Sequence, residues 1–261
     1  MTQEILEHQD GAVLTLTFNR LARKNSINTA MYEALAAAVK RSATDDSVRV
    51  LVMQGHETVF SAGNDIEDFL RMQKTEASNG SQGEAAVFRF LRDLAAYPKP
   101  VVAAVCGPAV GIGTTLLMHC DLIYAGDNAA FSMPFVNLGL CPEAASSLLV
   151  PRLFGYQRGA EVLLLGEPFM AEAALEVGLV NRVVPPAECN ALAQAQAHKL
   201  AAKPLSSVVA IKRLMKGDVQ DAVQRRMDEE NAEFARLLPL PAAREAMTAF
   251  MEKRKPDFSQ C

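Results

Sequence analysis

Residues 101–118 run VVAAVCGPAVGIGTTLLM, eighteen positions without a charge and long enough to cross a bilayer as a helix. The glycines and the proline argue against a span. Gly107-Pro108, Gly111 and Gly113 divide the stretch into a β-branched run at 101–105, a turn, and a short helix of Thr and Leu. An unbroken apolar run ending in such a turn reads as a buried strand feeding a helix, the unit of a parallel sheet covered by helices. The rest of the chain has to supply its neighbours.

It does so in α/β order. Val13-Leu14-Thr15-Leu16-Thr17-Phe18 alternates as a half-buried strand, and residues 5–8, before Asp10-Gly11, read as its hairpin partner. Asn28 stands where an N-cap belongs, and Met31, Leu35, Ala38 and Val39 recur at helical spacing as far as Arg41. A β-rich run at 48–53, a small polar loop at 55–65 and a short helix at 66–72 follow. Residues 75–84, with Ser78-Asn79-Gly80-Ser81-Gln82-Gly83, read as a mobile loop without chemistry. A helix at 85–96 stops before Tyr97-Pro98-Lys99-Pro100, and a further strand is expected at 122–125. From Ala144 onward the pattern is helical, with Gly166 and Gly178 at C-cap positions and one more strand at 180–184. The amphipathic pieces between 186 and 255 suit packing on the core or on another subunit. No internal repeat is present.

Composition narrows the function. The 261 residues are 50% hydrophobic and 21% charged, ordinary values for a globular chain with a sizeable core. A net charge of −4, no basic block and no Trp argue against nucleic acid as a partner. Five scattered cysteines without CxxC spacing make no disulfide framework, and four histidines make no ligand pattern, so a reducing compartment and no metal site are expected. Met1-Thr2-Gln3-Glu4, with acids and no cationic run before an apolar one, gives no expectation of a signal peptide, and Asp257-Phe258-Ser259-Gln260-Cys261 does not read as a peroxisomal or ER-retention ending. The expected location is cytoplasmic, with no membrane partner.

Two glycine loops leave strands and enter helices, where open α/β sheets bind ligands: Phe60-Ser61-Ala62-Gly63-Asn64-Asp65, and Gly107-Pro108-Ala109-Val110-Gly111-Ile112-Gly113. Neither is GxGxxG or a Walker loop, so dinucleotides and nucleoside triphosphates are unsupported. Plain connections, with Asp65 as an N-cap, are the alternative. Together the loops would offer two backbone N–H donors to one developing oxyanion, an arrangement worth several kcal/mol. A base is then needed. Between Asp127 and Glu161 the only carboxylate is Glu143, among Phe131, Phe135, Val136, Leu138, Leu140, Leu148 and Leu149. It is either a catalytic group or, behind Pro142, part of a helix first turn. Ser146 and Ser147 lack a GxSxG frame, and Cys141 has no cation beside it in sequence, so all three read as packing. Arg20, Arg23, Lys24 and Lys253-Arg254-Lys255 suit either phosphate contacts or a solvated surface.

The ordered set Asn19-Arg20 with Lys24-Asn25-Ser26-Ile27, Phe60 through Ile66, Lys99-Pro100-Val101-Val102-Ala103-Ala104-Val105, Cys120-Asp121-Leu122-Ile123-Tyr124-Ala125 and Ala249-Phe250-Met251-Glu252-Lys253-Arg254-Lys255 resembles the crotonase, or enoyl-CoA hydratase/isomerase, superfamily over nearly the whole chain. The resemblance implies an α/β spiral of ββα units at 1–200 holding an acyl-CoA site, and a helical C-terminal region at 201–261 that trimerises, giving a homotrimer or a dimer of trimers. It implies an acyl-CoA thioester substrate in fatty-acid metabolism and no metal or redox cofactor, coenzyme A being part of the substrate. The backbone around Ser61, Ala62, Gly63, Asn64, Asp65 and Ile66 would receive the CoA moiety, Lys24 and Lys253 or Lys255 its phosphates, and the N–H groups of Ala62 and Ile112 the thioester oxygen.

Hydratases of this family carry two glutamates, and here the matching positions are Thr115 and Phe135. The segment Leu138-Gly139-Leu140-Cys141-Pro142-Glu143-Ala144-Ala145-Ser146-Ser147 looks instead like the Δ3,Δ2-enoyl-CoA isomerases of peroxisomal type, in which the glutamate matching Glu143 is the sole base. One carboxylate suits a double-bond shift, which moves one proton from C2 to C4, whereas hydration is helped by two groups. A hydratase using Asp65 or Glu67 as a displaced acid, and a non-catalytic acyl-CoA scaffold, are the alternatives.

Overall fold

The computed structural model describes residues 3–68 and 84–261. A hairpin of β1 (Ile5–Asp10) and β2 (Val13–Phe18), turning at Gly11-Ala12, starts a six-stranded sheet. Its order is β1-β2-β3-β4-β6-β9, with β3 (Val50–Gln54), β4 (Val101–Val105), β6 (Leu122–Gly126) and β9 (Arg182–Val184) all parallel to β2. A second sheet, β5 (Pro108–Val110), β7 (Ala130–Ser132) and β8 (Phe169–Met170), stands at the carboxyl ends of these strands. Successive turns of chain each give a strand to both sheets, β4 with β5 and then β6 with β7. Ser61, bridged to Ala109, plays the second part for the turn that begins at β3.

The charge-free stretch is strand and helix as its glycines require, but the turn read between them carries a second short strand, β5, because Pro108–Val110 pairs with β7; β4 is buried along its whole length. Its alternate side chains enter two cores. Val102 and Ala104, with Val13, Val50 and Val52, meet Cys189, Ala193 and Ala197 of α7 (Pro186–Ala201). Val101, Ala103 and Val105, with Leu51 and Met53, join the larger core under α1 (Thr29–Thr44) and α2 (Ala86–Ala95). Asn28 does cap α1, its Oδ1 accepting from the Met31 N–H at 2.9 Å.

α3 (Ile112–Thr115) leads into a 3-10 turn, Leu116–His119. Then come α4 (Ser146–Phe154), α5 (Tyr156–Leu164) and α6 (Ala171–Glu176). Gly166 and Gly178, both at positive φ, lie just beyond α5 and α6 as expected. The last two helices are α8 (Leu205–Leu237), 33 residues long, and α9 (Pro241–Met251). Val223, Met227 and Ala243 bring both into the larger core. No helix among the described residues is long and apolar enough to cross a membrane.

Several expectations are corrected. The helix thought to open at Ala144 begins at Ser146, because Ala144 and Ala145 are left-handed. The strand at 180–184 keeps three residues, Arg182–Val184, since Val180 turns back to bond Ala174. A helical turn starts at Ile66 as read, but its remainder and the polar loop up to residue 83 lie outside the described residues.

Candidate active site

The two glycine loops lie side by side because Ser61 pairs with the edge of β5: the Val110 N–H donates to Ser61 O at 2.9 Å, and the Phe60 and Ser61 N–H groups both reach Pro108 O at 3.1 Å. Gly63, at φ 85°, allows the contact, since a Cβ there would sit 2.7 Å from Val110 O. Ser61 is a buried staple, its Oγ–H donating to Asn25 O at 2.9 Å and its Oγ accepting from the Gly63 N–H at 3.1 Å.

One expected donor is misplaced. The Ala62 N–H donates to Lys24 O at 3.0 Å and the Asp65 N–H to Ile27 O at 2.9 Å, so neither is open to a ligand. In this loop the N–H that meets no acceptor among the described residues belongs to Asn64. Only the left-handed Gly63, which reverses the direction of the next peptide, hinted at the two-residue offset. Across the gap Ile112 opens α3, where its N–H has no preceding turn to bond. Gly111, at φ 55° and ψ −120°, aims that helix start.

Glu143 is 5% exposed and lines a cavity together with Tyr32, Asn64, Phe88, Asn231 and Phe234. It is not in a helix first turn, the less active reading of its sequence position. Ala144 at φ 61° and Ala145 at φ 56° follow it, a left-handed pair costing roughly 1–2 kcal/mol per alanine, and only then does α4 begin. Burial, then the nearby charge of Glu230, push the Glu143 pKa up to about 8 against the Thr115 hydroxyl, which donates to Oε1 at 3.4 Å. Thr115 and Phe135, at the hydratase positions, are both buried.

The remaining carboxylates are committed. Asp65 accepts from Arg20 Nη1 at 2.6 Å and from the Asp68 N–H at 3.1 Å, so it caps the turn at Ile66; burial works upward, but these donors hold its pKa below the usual value. Glu67 pairs with Arg23 at 3.0 Å on the surface, and Asp68 accepts both the N–H and the hydroxyl of Thr29 at 2.7 Å. Arg20 and Arg23 are thereby occupied by acids. Lys24 is exposed beside the first loop, while Lys253 and Lys255 are exposed beyond α9.

Ser146 Oγ–H donates to Glu143 O at 2.5 Å, and the Cys141 thiol, raised to about 11 chiefly by burial, donates to Glu230 O at 3.5 Å. Both are tied to backbone carbonyls, in keeping with packing. The sequence reading missed Tyr32, whose hydroxyl donates to Asn64 Oδ1. It also missed His119, held neutral by burial with its pKa near 3, whose Nε2–H donates to Ala144 O at 2.9 Å, and Glu230. Glu230 had a signal: with Val223, Met227 and Phe234 it falls on one helical stripe, an acid where an apolar residue belongs.

The sequence profile of the enoyl-CoA hydratase/isomerase family matches residues 8–261. The chain is 35% identical over 261 residues to 1,2-epoxyphenylacetyl-CoA isomerase of Escherichia coli, covering 99% of both. It is 34% identical over 226 residues to enoyl-CoA delta isomerase 2 of Rattus norvegicus, an alignment taking in 87% of this chain but 58% of that protein. Hydratases stand among the relatives at similar identity. The crystal structure of an enoyl-CoA hydratase/isomerase from Pseudoalteromonas atlantica superposes with a TM-score of 0.91 at 37% identity, over 98% of this chain and all of that one.

Proposed function

The chain belongs to the enoyl-CoA hydratase/isomerase family, and from that premise we propose that it moves the double bond of a 3-enoyl-CoA to give trans-2-enoyl-CoA, with Glu143 as the single acid and base. The observation that carries the reading is the buried, raised carboxyl of Glu143 facing the cavity while Thr115 and Phe135 occupy the other acid positions. The ionised form takes a proton from C2, the electrons pass through the dienolate, and the same carboxyl returns the proton at C4. Charge on the thioester oxygen is held by the N–H groups of Asn64 and Ile112, with Asn64 in place of Ala62 because the Ala62 N–H is spent on Lys24 O. Tyr32 fixes the Asn64 side chain and so steadies that peptide. Lys24 contacts the CoA phosphates.

A displaced-acid hydratase finds less support, since Asp65 is tied to Arg20 and Glu67 to Arg23. The deciding assay presents pure protein with 3-enoyl-CoA and 2-enoyl-CoA side by side. Isomerisation is expected to outrun hydration by roughly a hundredfold or more, the usual worth of a general acid or base. Hydration at an equal or higher rate would overturn the reading, and no turnover of either would return the scaffold.

A further inference from the structure

The left-handed pair after Glu143 closes one bond of its own, the Ser146 N–H donating to Glu143 O at 3.0 Å, and draws its other partners from side chains around it. His119 takes the carbonyl of Ala144, and the Ser146 hydroxyl takes that of Glu143, both from within the core half of the chain. The Ala145 and Ser147 N–H groups are held from elsewhere. Glu230 of α8, 85 residues beyond Ala145, accepts the Ala145 N–H on Oε2 at 2.6 Å and the Ser147 N–H on Oε1 at 2.9 Å. The side chain is 5% exposed, on a stripe that is otherwise apolar. Both oxygens accept, which favours the ionised form; burial raises the Glu230 pKa, and the Ser147 and Ala145 donors with Arg226 work against that rise. A neutral side chain would suffice to cap a helix, and a buried carboxylate is costly unless its charge is used.

We propose that Glu230 is a positioning residue for Glu143: carried in by α8, its carboxylate grips the Ala144-Ala145 turn and so keeps the base facing the cavity. Asn231 and Phe234, next on the same helix, line that cavity, so the helix that braces the base also forms part of the wall against the acyl group. The inference rests on the proposed reaction only in taking Glu143 as its base.

The ionisable groups around the pair come from several elements. Tyr32 of α1 feels Glu143 and Asp68, Cys141 adjoins Glu230 on the loop, and His119 lies behind Ala144 and is neutral. Arg226, one turn before Glu230, is the cation that acts on it, its guanidinium donating to Ser147 Oγ at 3.1 Å; Lys216 and Lys212 act on His119, and Glu233 on Cys141. Among these, Glu230 is the charge that raises Glu143.

Two variants separate charge from position. Glu230→Gln removes the charge and leaves one acceptor; Glu230→Asp keeps the charge on a stem one methylene shorter. In ligand-free protein the protonated Glu143 carboxyl is followed by its infrared carbonyl band, assigned by its loss in Glu143→Gln. Glu230→Gln is expected to move that titration down by roughly half a pH unit or more, and to lower kcat on 3-enoyl-CoA by about tenfold with KM within about twofold. Glu230→Asp should leave the titration near the wild-type position while kcat falls similarly. A midpoint and kcat unchanged in folded Glu230→Gln would overturn the proposal, as would failure of both variants to fold, which would make Glu230 a stability residue only. The titration needs no substrate, so a wild-type protein that does not isomerise 3-enoyl-CoA would refute the reaction and still let the midpoints decide on Glu230.

Discussion

A carboxyl buried beside another acid behaves as a proton store, and Glu143 is such a group. Its proton binds more tightly in the folded protein, where release waits for about pH 8, than in the unfolded chain, where it leaves near 4.5. The stability it confers is therefore full below pH 4.5 and lost as the pH rises to 8, at about 1.4 kcal/mol per unit. Glu143→Gln, neutral throughout, should match the wild type in thermal melts at pH 4.5 and melt several degrees higher at pH 8.5. In steady state the variant should lose turnover while CoA-ester binding stays nearly intact, because an amide cannot accept the proton. The wild-type kcat/KM should climb with pH through about 8, the base being needed ionised. A flat profile from pH 6 to 9 would mean that another group takes the proton.

At the scale of elements, the site depends on two loops touching. Ser61 and Ala109 pair as strands would, which carries the Asn64 peptide toward the start of α3, and Gly63 sits where any side chain would strike Val110 O at 2.7 Å. Gly63→Ala should cost roughly 2–3 kcal/mol in urea unfolding, from left-handed strain and from the clash. The pairing would loosen with it, so kcat should fall more than KM rises, the oxyanion contact being strongest in the transition state. Equal unfolding midpoints for the variant and wild type would show that the loops yield without cost. The strand-to-helix grammar of both loops was legible in their glycines and buried runs. Which N–H remained open was not, because it depends on Lys24 O and Ile27 O arriving from another part of the chain.

For the whole molecule, the telling feature is what stays uncovered once α8 and α9 have packed on their own core. Tyr156, Leu164 and Leu165 remain 71%, 69% and 54% exposed on and just after α5, and Leu214 and Met215 of α8 remain 74% and 69% exposed. Large apolar side chains left in water are what a subunit contact would cover, and we expect one here. We expect a trimer or a pair of trimers, read by sedimentation velocity at micromolar concentration, and we expect Leu164→Arg to shift the distribution toward monomer. A wild-type chain that sediments as a monomer would contradict this. The apolar faces of the C-terminal helices are covered in part within one chain, where Val223, Met227 and Ala243 are buried, while Phe250 and Met251 of α9 stay 56% and 53% exposed.

The local sequence by itself determined the alternation of buried strands and helices, the cap at Asn28, the glycine turns and the candidacy of Glu143 as the one acid in an apolar run. These are short-range matters of periodicity, backbone freedom and the cost of burying charge, and they are written within a few residues of where they act. Tertiary structure alone decided that Asn64 and not Ala62 keeps an open N–H, that a left-handed alanine pair follows Glu143, and that a glutamate from α8 grips that pair. Each depends on a partner distant in sequence, and Ala144-Ala145 runs against local preference, since alanine favours a right-handed helix and takes the other form only where longer-range hydrogen bonds over-determine it.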